Sequence, residues 1–208
     1  MHTTKILRVL AALAVVAFVA TAAACGGDDT STASDADTTL PADVDEADVA
    51  FVQGMIPHHR QAVDMSEMVI DGGSDPDVVA LAEQIKNAQA PEIDQMTGWL
   101  EEWGVTTDDG ESDGHGMHDD GDAVMEGEVM EGTGMMSDEE MDDMASMSGS
   151  DLESMFLRMM IRHHEGAIEM ARTELEDGSN ADALALAQAI IDTQQAEIDQ
   201  MNSMLSAS

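Results

Sequence analysis

The chain has 208 residues, with 44 acidic side chains against seven lysines and arginines and a formal net charge of −37. That balance makes nucleic acid and anionic membrane surfaces poor partners and favours cations. One cysteine and 19 methionines exclude an intrachain disulfide and a thiolate metal cluster, leaving thioether as the abundant sulfur ligand.

In chain order, residues 1–24 read as an export signal. Lys5 and Arg8 are its positive region, Val9 to Ala20 its apolar run, and Thr21-Ala22-Ala23-Ala24 its small-residue end. The run is too short for an ordinary transmembrane helix. Cys25 and Gly26 follow, which resembles a bacterial lipobox with Ala22 where leucine is usual. The resemblance implies lipidation at Cys25 and anchoring to the outer face of the bacterial cytoplasmic membrane, in the cell envelope. Stable anchoring takes more than one acyl chain. Plain secretion is the alternative. Removing 1–24 leaves five basic residues against 44 acidic ones, an excess that serves solubility as readily as a specific role.

Residues 25–47, rich in Asp, Thr, Ser and Ala, read as a disordered tether. The first helical hairpin is expected over 48–104. An apolar helical period covers 48–70, and Asp71-Gly72-Gly73-Ser74 forms a turn. Asp75 caps a second helix with Pro76 at its first position, which stops at Gly104. Pro57 and Pro91 fall inside these helices and predict kinks rather than breaks. Residues 105–150 are rich in Met, Asp, Glu and Gly and lack a period, so this linker is expected to be largely disordered. A second hairpin is expected over 151–208, with helices at about 151–175 and 182–205. Each hairpin alone would leave an apolar face in water, so the two are expected to form one four-helix bundle.

The second hairpin repeats the first. At an offset of 105, residues 51–100 align with 156–205 without a gap, and 21 of the 50 positions are identical. Met55-Ile56-Pro57-His58-His59 returns as Met160-Ile161-Arg162-His163-His164, and Glu92-Ile93-Asp94-Gln95-Met96 as Glu197-Ile198-Asp199-Gln200-Met201. At 100° per residue, His58 and His59 flank the apolar stripe of their helix with Met65 at its edge, while Gln89 and Glu92 lie within the stripe of the partner helix. His163, His164, Met170, Gln194 and Glu197 repeat this. If the turn centres near Gly73, His58 lies about one residue from Gln89 and about one turn from Glu92.

Buried polar groups are costly unless paired, and a bundle interior with convergent polar side chains is a usual place for a metal. The same arrangement also fits a hydrogen-bonded layer of histidine and glutamate without metal. Imidazole suits several transition metals and thioether selects copper(I). Met55 and His59 are four apart on one helix face, as are Met160 and His164. In the linker, His115-Gly116-Met117-His118 is a second candidate copper ligand cluster.

The pattern Phe51-x3-Met55-Ile56-x-His58-His59-x2-Ala62-x2-Met65, with its copy from Phe156 to Met170, resembles the domain of unknown function family 305. The resemblance implies an all-α, ferritin-like four-helix bundle, exported from bacteria and often lipid-anchored, with copper-binding members linked to copper tolerance. It carries over Met55, His58, His59, Met65, Met160, His163, His164 and Met170 as metal ligands and no catalytic role. Three functions follow as expectations. The first is a non-enzymatic, lipid-anchored envelope protein that sequesters or transfers copper, with another transition metal as the alternative cargo. The second is a ferritin-like di-metal oxidase with ferroxidase-like activity. Such sites use Glu-x-x-His on two helices, which the histidine-bearing helices lack, and Glu92 and Glu197 are the only carboxylates that the helical period is expected to place inside. The third is a metal-free bundle whose acidic surface binds an envelope protein partner.

Overall fold

A computed structural model describes residues 40–105 and 130–207, apart from the side chains of Met130 and Glu131. Among the described residues there are helices and no strands: α1 (Glu46–Gly72), α2 (Pro76–Trp103), α3 (Met130–Thr133), α4 (Asp138–Ala145), α5 (Gly149–Asp177) and α6 (Ala181–Ala207). The all-helical class expected from the sequence is present. The expected kink sites Pro57 and Pro91 both lie inside continuous helices.

Helix ends follow local chemistry. Asp45 and Asp48 form a capping box at the start of α1, satisfying backbone donors that have no partner in the first turn. Asp75 accepts from the Asp77 N–H at the start of α2, with Pro76 at the first position, and Gly104 closes α2 at φ 71°. The Asn180 Oδ1 accepts from the N–H groups of Asp182 and Ala183 and so caps α6.

Helix α1 packs against α2 and α5, and α5 against α6. The turn-end clasps obey the repeat. Asp48, fully buried on α1, accepts from the Ser179 and Asn180 N–H groups at 3.0 and 2.9 Å and from the Ser179 hydroxyl at 3.0 Å. Its counterpart Glu153 on α5 accepts from the Asp75 N–H at 2.6 Å, from the Ser74 hydroxyl at 3.1 Å and from the Ser74 N–H. Each hairpin thus places a carboxylate on the helix-to-helix turn of the other.

The apolar core is split in two. One cluster gathers Met65, Val69, Leu81, Leu152, Phe156 and Met160 around the α1–α2 turn. The other gathers Phe51, Met55, Met96, Leu100, Ala171 and Leu186 near the α5–α6 turn. The buried histidines, with Gln89, Gln194 and Glu197, lie between these ends of the bundle.

Two sequence expectations need correction. The linker, expected to be disordered over 105–150, carries α3 and α4 from residue 130 onward, and Met136 and Met144 are fully buried in the first cluster. A capping box between Ser137 and Glu140 starts α4. Two anchoring thioethers and a cap leave no helical period, so periodicity missed the segment. The tether, expected to reach residue 47, is structured from residue 40, where Val44 packs with Trp103 in the second cluster.

Candidate metal centre

The four paired histidines meet at the middle of the bundle, all with no exposed surface. His58 of α1 and His163 of α5 face each other with ring centroids 3.7 Å apart, and the His164 ring lies 6.4 Å from that of His163. The outer members turn toward the flanking helices. The Nε2 of His59 is 2.7 Å from the Glu92 carboxylate on α2, and the Nε2 of His164 is 2.8 Å from the Glu197 carboxylate on α6. Both pairs span 33 residues, as the repeat requires. The register expected from the sequence set Glu92 about one turn from His58, and the structure seats it on the adjacent His59.

The two outer pairs differ in exposure. The Glu92 side chain is 24% exposed and the Glu197 side chain 3%. Glu197 also accepts from the Gln84 amide of α2 at 3.1 Å. Alanine occupies the position of Gln84 in the second hairpin, Ala189, so Glu92 receives no such bond from α6.

Tautomers follow from the acceptors. A backbone carbonyl accepts and never donates, so the 2.8 Å contact of the His58 Nε2 with the Thr133 carbonyl places an N–H on Nε2. Burial, offset in part by the Thr133 hydrogen bond and reinforced by His59 and His164, pushes His58 down to about 3. His58 is therefore neutral, and its Nδ1 carries a lone pair. Burial, then the neighbouring His58, His164 and His59, holds His163 well below its ordinary value.

The layer is rich in unsatisfied polar atoms. The Nδ1 atoms of all four histidines, the Nε2 of His163, both amide atoms of Gln89 and the Oε1 of Gln194 are buried with no hydrogen-bond partner in the protein. Orphaned polar groups of this kind are rare and costly in a folded interior. A partner from outside the chain, water or a cation, has to meet them.

The donor set fits a soft cation. Ring nitrogens backed by a carbonyl or carboxylate on the opposite nitrogen are the arrangement that orients metal-binding imidazoles. Met55, Met65 and Met160 are fully buried on the same helices, and Met170 is half-buried. Imidazole with thioether suits copper(I). Among the described residues no three His, Cys, Asp or Glu side chains are grouped closely enough to hold a metal as they stand, the four histidines included. His115, Met117, His118 and Cys25 lie outside the described residues.

Sequence reasoning missed the segment that covers His58. Gly134, at φ 72°, lies so close to α5 that a Cβ there would fall 2.2 Å from the Arg162 carbonyl oxygen, and a Cβ at Gly166 would fall 1.6 Å from the Thr133 oxygen. Only glycine permits this approach at both positions. Gln61 clamps the next residues, donating to the Met136 carbonyl at 2.8 Å and accepting from the Met136 N–H at 2.6 Å. Arg162 reaches back to Glu140 at 2.7 Å. The one available signal was the repeat itself, since Gln61 and Gly166 are the same repeat position, as are Pro57 and Arg162.

Fold and site together define an all-helical bundle protein with a histidine layer buried at its centre. The family model for the domain of unknown function DUF305 matches residues 48–205, and the chain belongs to that family. A DUF305 fragment from Deinococcus radiodurans is 29% identical with a TM-score of 0.66, covering 79% of this chain and 99% of that one. A DUF305 protein from Streptomyces coelicolor is 31% identical with a TM-score of 0.65, covering 77% and 93%. CopM in its Cu(II)-bound form is 29% identical with a TM-score of 0.62, covering 77% and 96%. CopM is also solved with Cu(I) and with silver. Protein L153 of Acanthamoeba polyphaga mimivirus is 38% identical over 55 residues, a match that spans 36% of that protein.

Proposed function

We propose that this chain is an exported, lipid-anchored protein of the cell envelope that binds copper in the histidine layer and sequesters it or hands it on. The reading is one of binding and not of turnover. The observation that carries it is the set of buried ring nitrogens without partners in the protein, with the opposite nitrogens of His58, His59 and His164 held by Thr133, Glu92 and Glu197. His58 and His163 face each other across the α1–α5 contact and supply the first ligands. The buried methionines supply the thioethers that favour copper(I) over zinc. The CopM structures with Cu(II), Cu(I) and silver support the choice of metal. Anchoring at Cys25 would hold the site outside the cytoplasmic membrane, and the acidic surface would concentrate cations near it.

The test is native mass spectrometry of the chain from residue 26 onward, titrated with copper(I) under reducing conditions. Binding is expected in the wild type and lost when His58, His59, His163 and His164 are all replaced by alanine. Because that variant removes much of the buried layer, the paired readout is the ring 15N spectrum of the wild type, in which His58 and His163 are expected to shift on metal addition. Unchanged stoichiometry in the variant, or unshifted rings, overturns the interior site.

A further inference from the structure

Gln61 lies on the half-exposed side of α1, outside the histidine layer, yet it is tied to the layer through the backbone of residues 133–136. Its amide makes both available hydrogen bonds to the Met136 main chain, 2.8 Å as donor and 2.6 Å as acceptor. Three residues earlier the same main chain carries the Thr133 carbonyl that accepts from the Nε2 of His58 at 2.8 Å. Between these points the chain has little freedom. Gly134 takes a left-handed conformation and lies on the Arg162 carbonyl, and the bare backbone of Gly166 makes room for the Thr133 oxygen. Downstream the Met136 side chain is fully buried, and an Arg162 N–H meets its sulfur at 2.8 Å.

A neutral imidazole carries one N–H, on either nitrogen. In a buried site the acceptor nearest the ring selects which one. The Thr133 carbonyl is that acceptor for His58, since the Nδ1 of His58 has no partner in the protein. The nitrogen left to bind a cation is therefore set by where residues 133–136 lie, and their position is set by the Gln61 clamp. The repeat fits this division. Where the first hairpin has Gln61 to grip the segment, the second has Gly166 to let it approach.

We propose that Gln61 is a positioning residue for the histidine layer: by clamping Met136 it holds the Thr133 carbonyl on Nε2 of His58, so that Nδ1 is presented to a soft monovalent cation. The proposal rests on the histidine layer being the metal site. Its tautomer arm needs no metal, so the two ideas fail separately.

The experiment uses the chain from residue 26 onward with 15N-labelled histidine, in the metal-free state and titrated with silver(I) as the probe. In the wild type, long-range ring correlations are expected to show His58 as a single tautomer with the proton on Nε2. Gln61→Ala should give a mixture of both tautomers and weaken silver(I) binding by about tenfold or more, the usual scale for losing a group that orients a ligand. Gln61→Glu keeps the acceptor for the Met136 N–H and loses the donor to its carbonyl, so an intermediate mixture is expected. Gly166→Ala displaces Thr133 from the opposite side and should reproduce the mixture with Gln61 intact. A merely structural clamp would lower stability without moving the tautomer. A single Nε2–H tautomer in both Gln61→Ala and Gly166→Ala, with helical circular dichroism and silver(I) affinity unchanged, overturns the proposal. Failure of the wild type to bind silver(I) would overturn the metal reading, while the tautomer comparison would still decide the role of Gln61.

Discussion

The two hairpins carry the same buried histidine pair, the same interior glutamine and the same carboxylate partner, yet they are not equivalent. Residues that match across the repeat build what both halves share: the histidine layer, and the carboxylates Asp48 and Glu153 that clasp the opposite turns. Residues that differ serve features present once. Gln61, Gly166 and Arg162 receive the segment that follows α3, and their counterparts across the repeat are different residues. Val69, an ordinary core residue, has Glu174 as its counterpart, buried to the same degree beside Asp48. A duplicated half-bundle thus supplies symmetric chemistry, and substitutions in one copy make the two sides of the layer different.

Three measurements would break or sharpen this comparison. The largest expected effect is on the clasps. Asp48→Ala removes a fully buried carboxylate that accepts from Ser179, Asn180 and Asp45, and it leaves those donors unpaired. A loss of about 3 kcal/mol is expected in urea unfolding, with Glu153→Ala costing about 2 kcal/mol because it releases fewer donors. Equal small losses would mean that the clasps do not hold the hairpins together.

Next comes the asymmetry of the two histidine–glutamate pairs. Glu197→Ala strips His164 and Gln84 of a buried acceptor and should cost about 2 kcal/mol. Glu92→Ala should cost less than about 1 kcal/mol, since water reaches that side chain and can replace it. The reverse order would show that exposure does not set the difference.

The last measurement is a pH dependence that belongs to Glu174 and has no counterpart at Val69. Burial, then the neighbouring Asp48 and Asp45, pushes Glu174 up to about 8 from its ordinary 4.5. Burial alone would raise Asp48 as well. The backbone donors of Asp45, Asn180 and Ser179, with the Glu174 carboxyl, outweigh it and hold Asp48 below its ordinary value. Between pH 4.5 and about 8 the folded chain keeps on Glu174 a proton that the unfolded chain has released, so its contribution to stability falls as pH rises through that window. Glu174→Gln should remove this slope, leaving the variant relatively more stable at pH 8 than at pH 5 by urea midpoint. Parallel profiles for variant and wild type would show that Glu174 does not hold the proton.

Much of this architecture is legible in the chain. The 105-residue offset, the helical period and the placement of His58, His59, Gln89 and Glu92 on facing stripes lead to a bundle with a polar layer. A hairpin turning near Gly73 brings Glu92 to about one turn from His58, and packing seats it on the adjacent His59. These features repeat at 3.6 residues or at a fixed offset, so they are visible without a third dimension. The role of Asp48 is harder to see, because a capping aspartate at a helix start looks local until its second set of donors, 131 and 132 residues away, is in place.

What the sequence alone determined was which residues enter the layer: periodicity and duplication are properties of the chain, and burial follows from them. What only the tertiary structure decided was how each ring is held. The Thr133 carbonyl carries no side-chain signature, and its reach to His58 depends on glycines in two distant segments and on a clamp 75 residues away. A backbone acceptor is the same in every residue, so only the packed fold can say which one meets a buried imidazole and which nitrogen it leaves open.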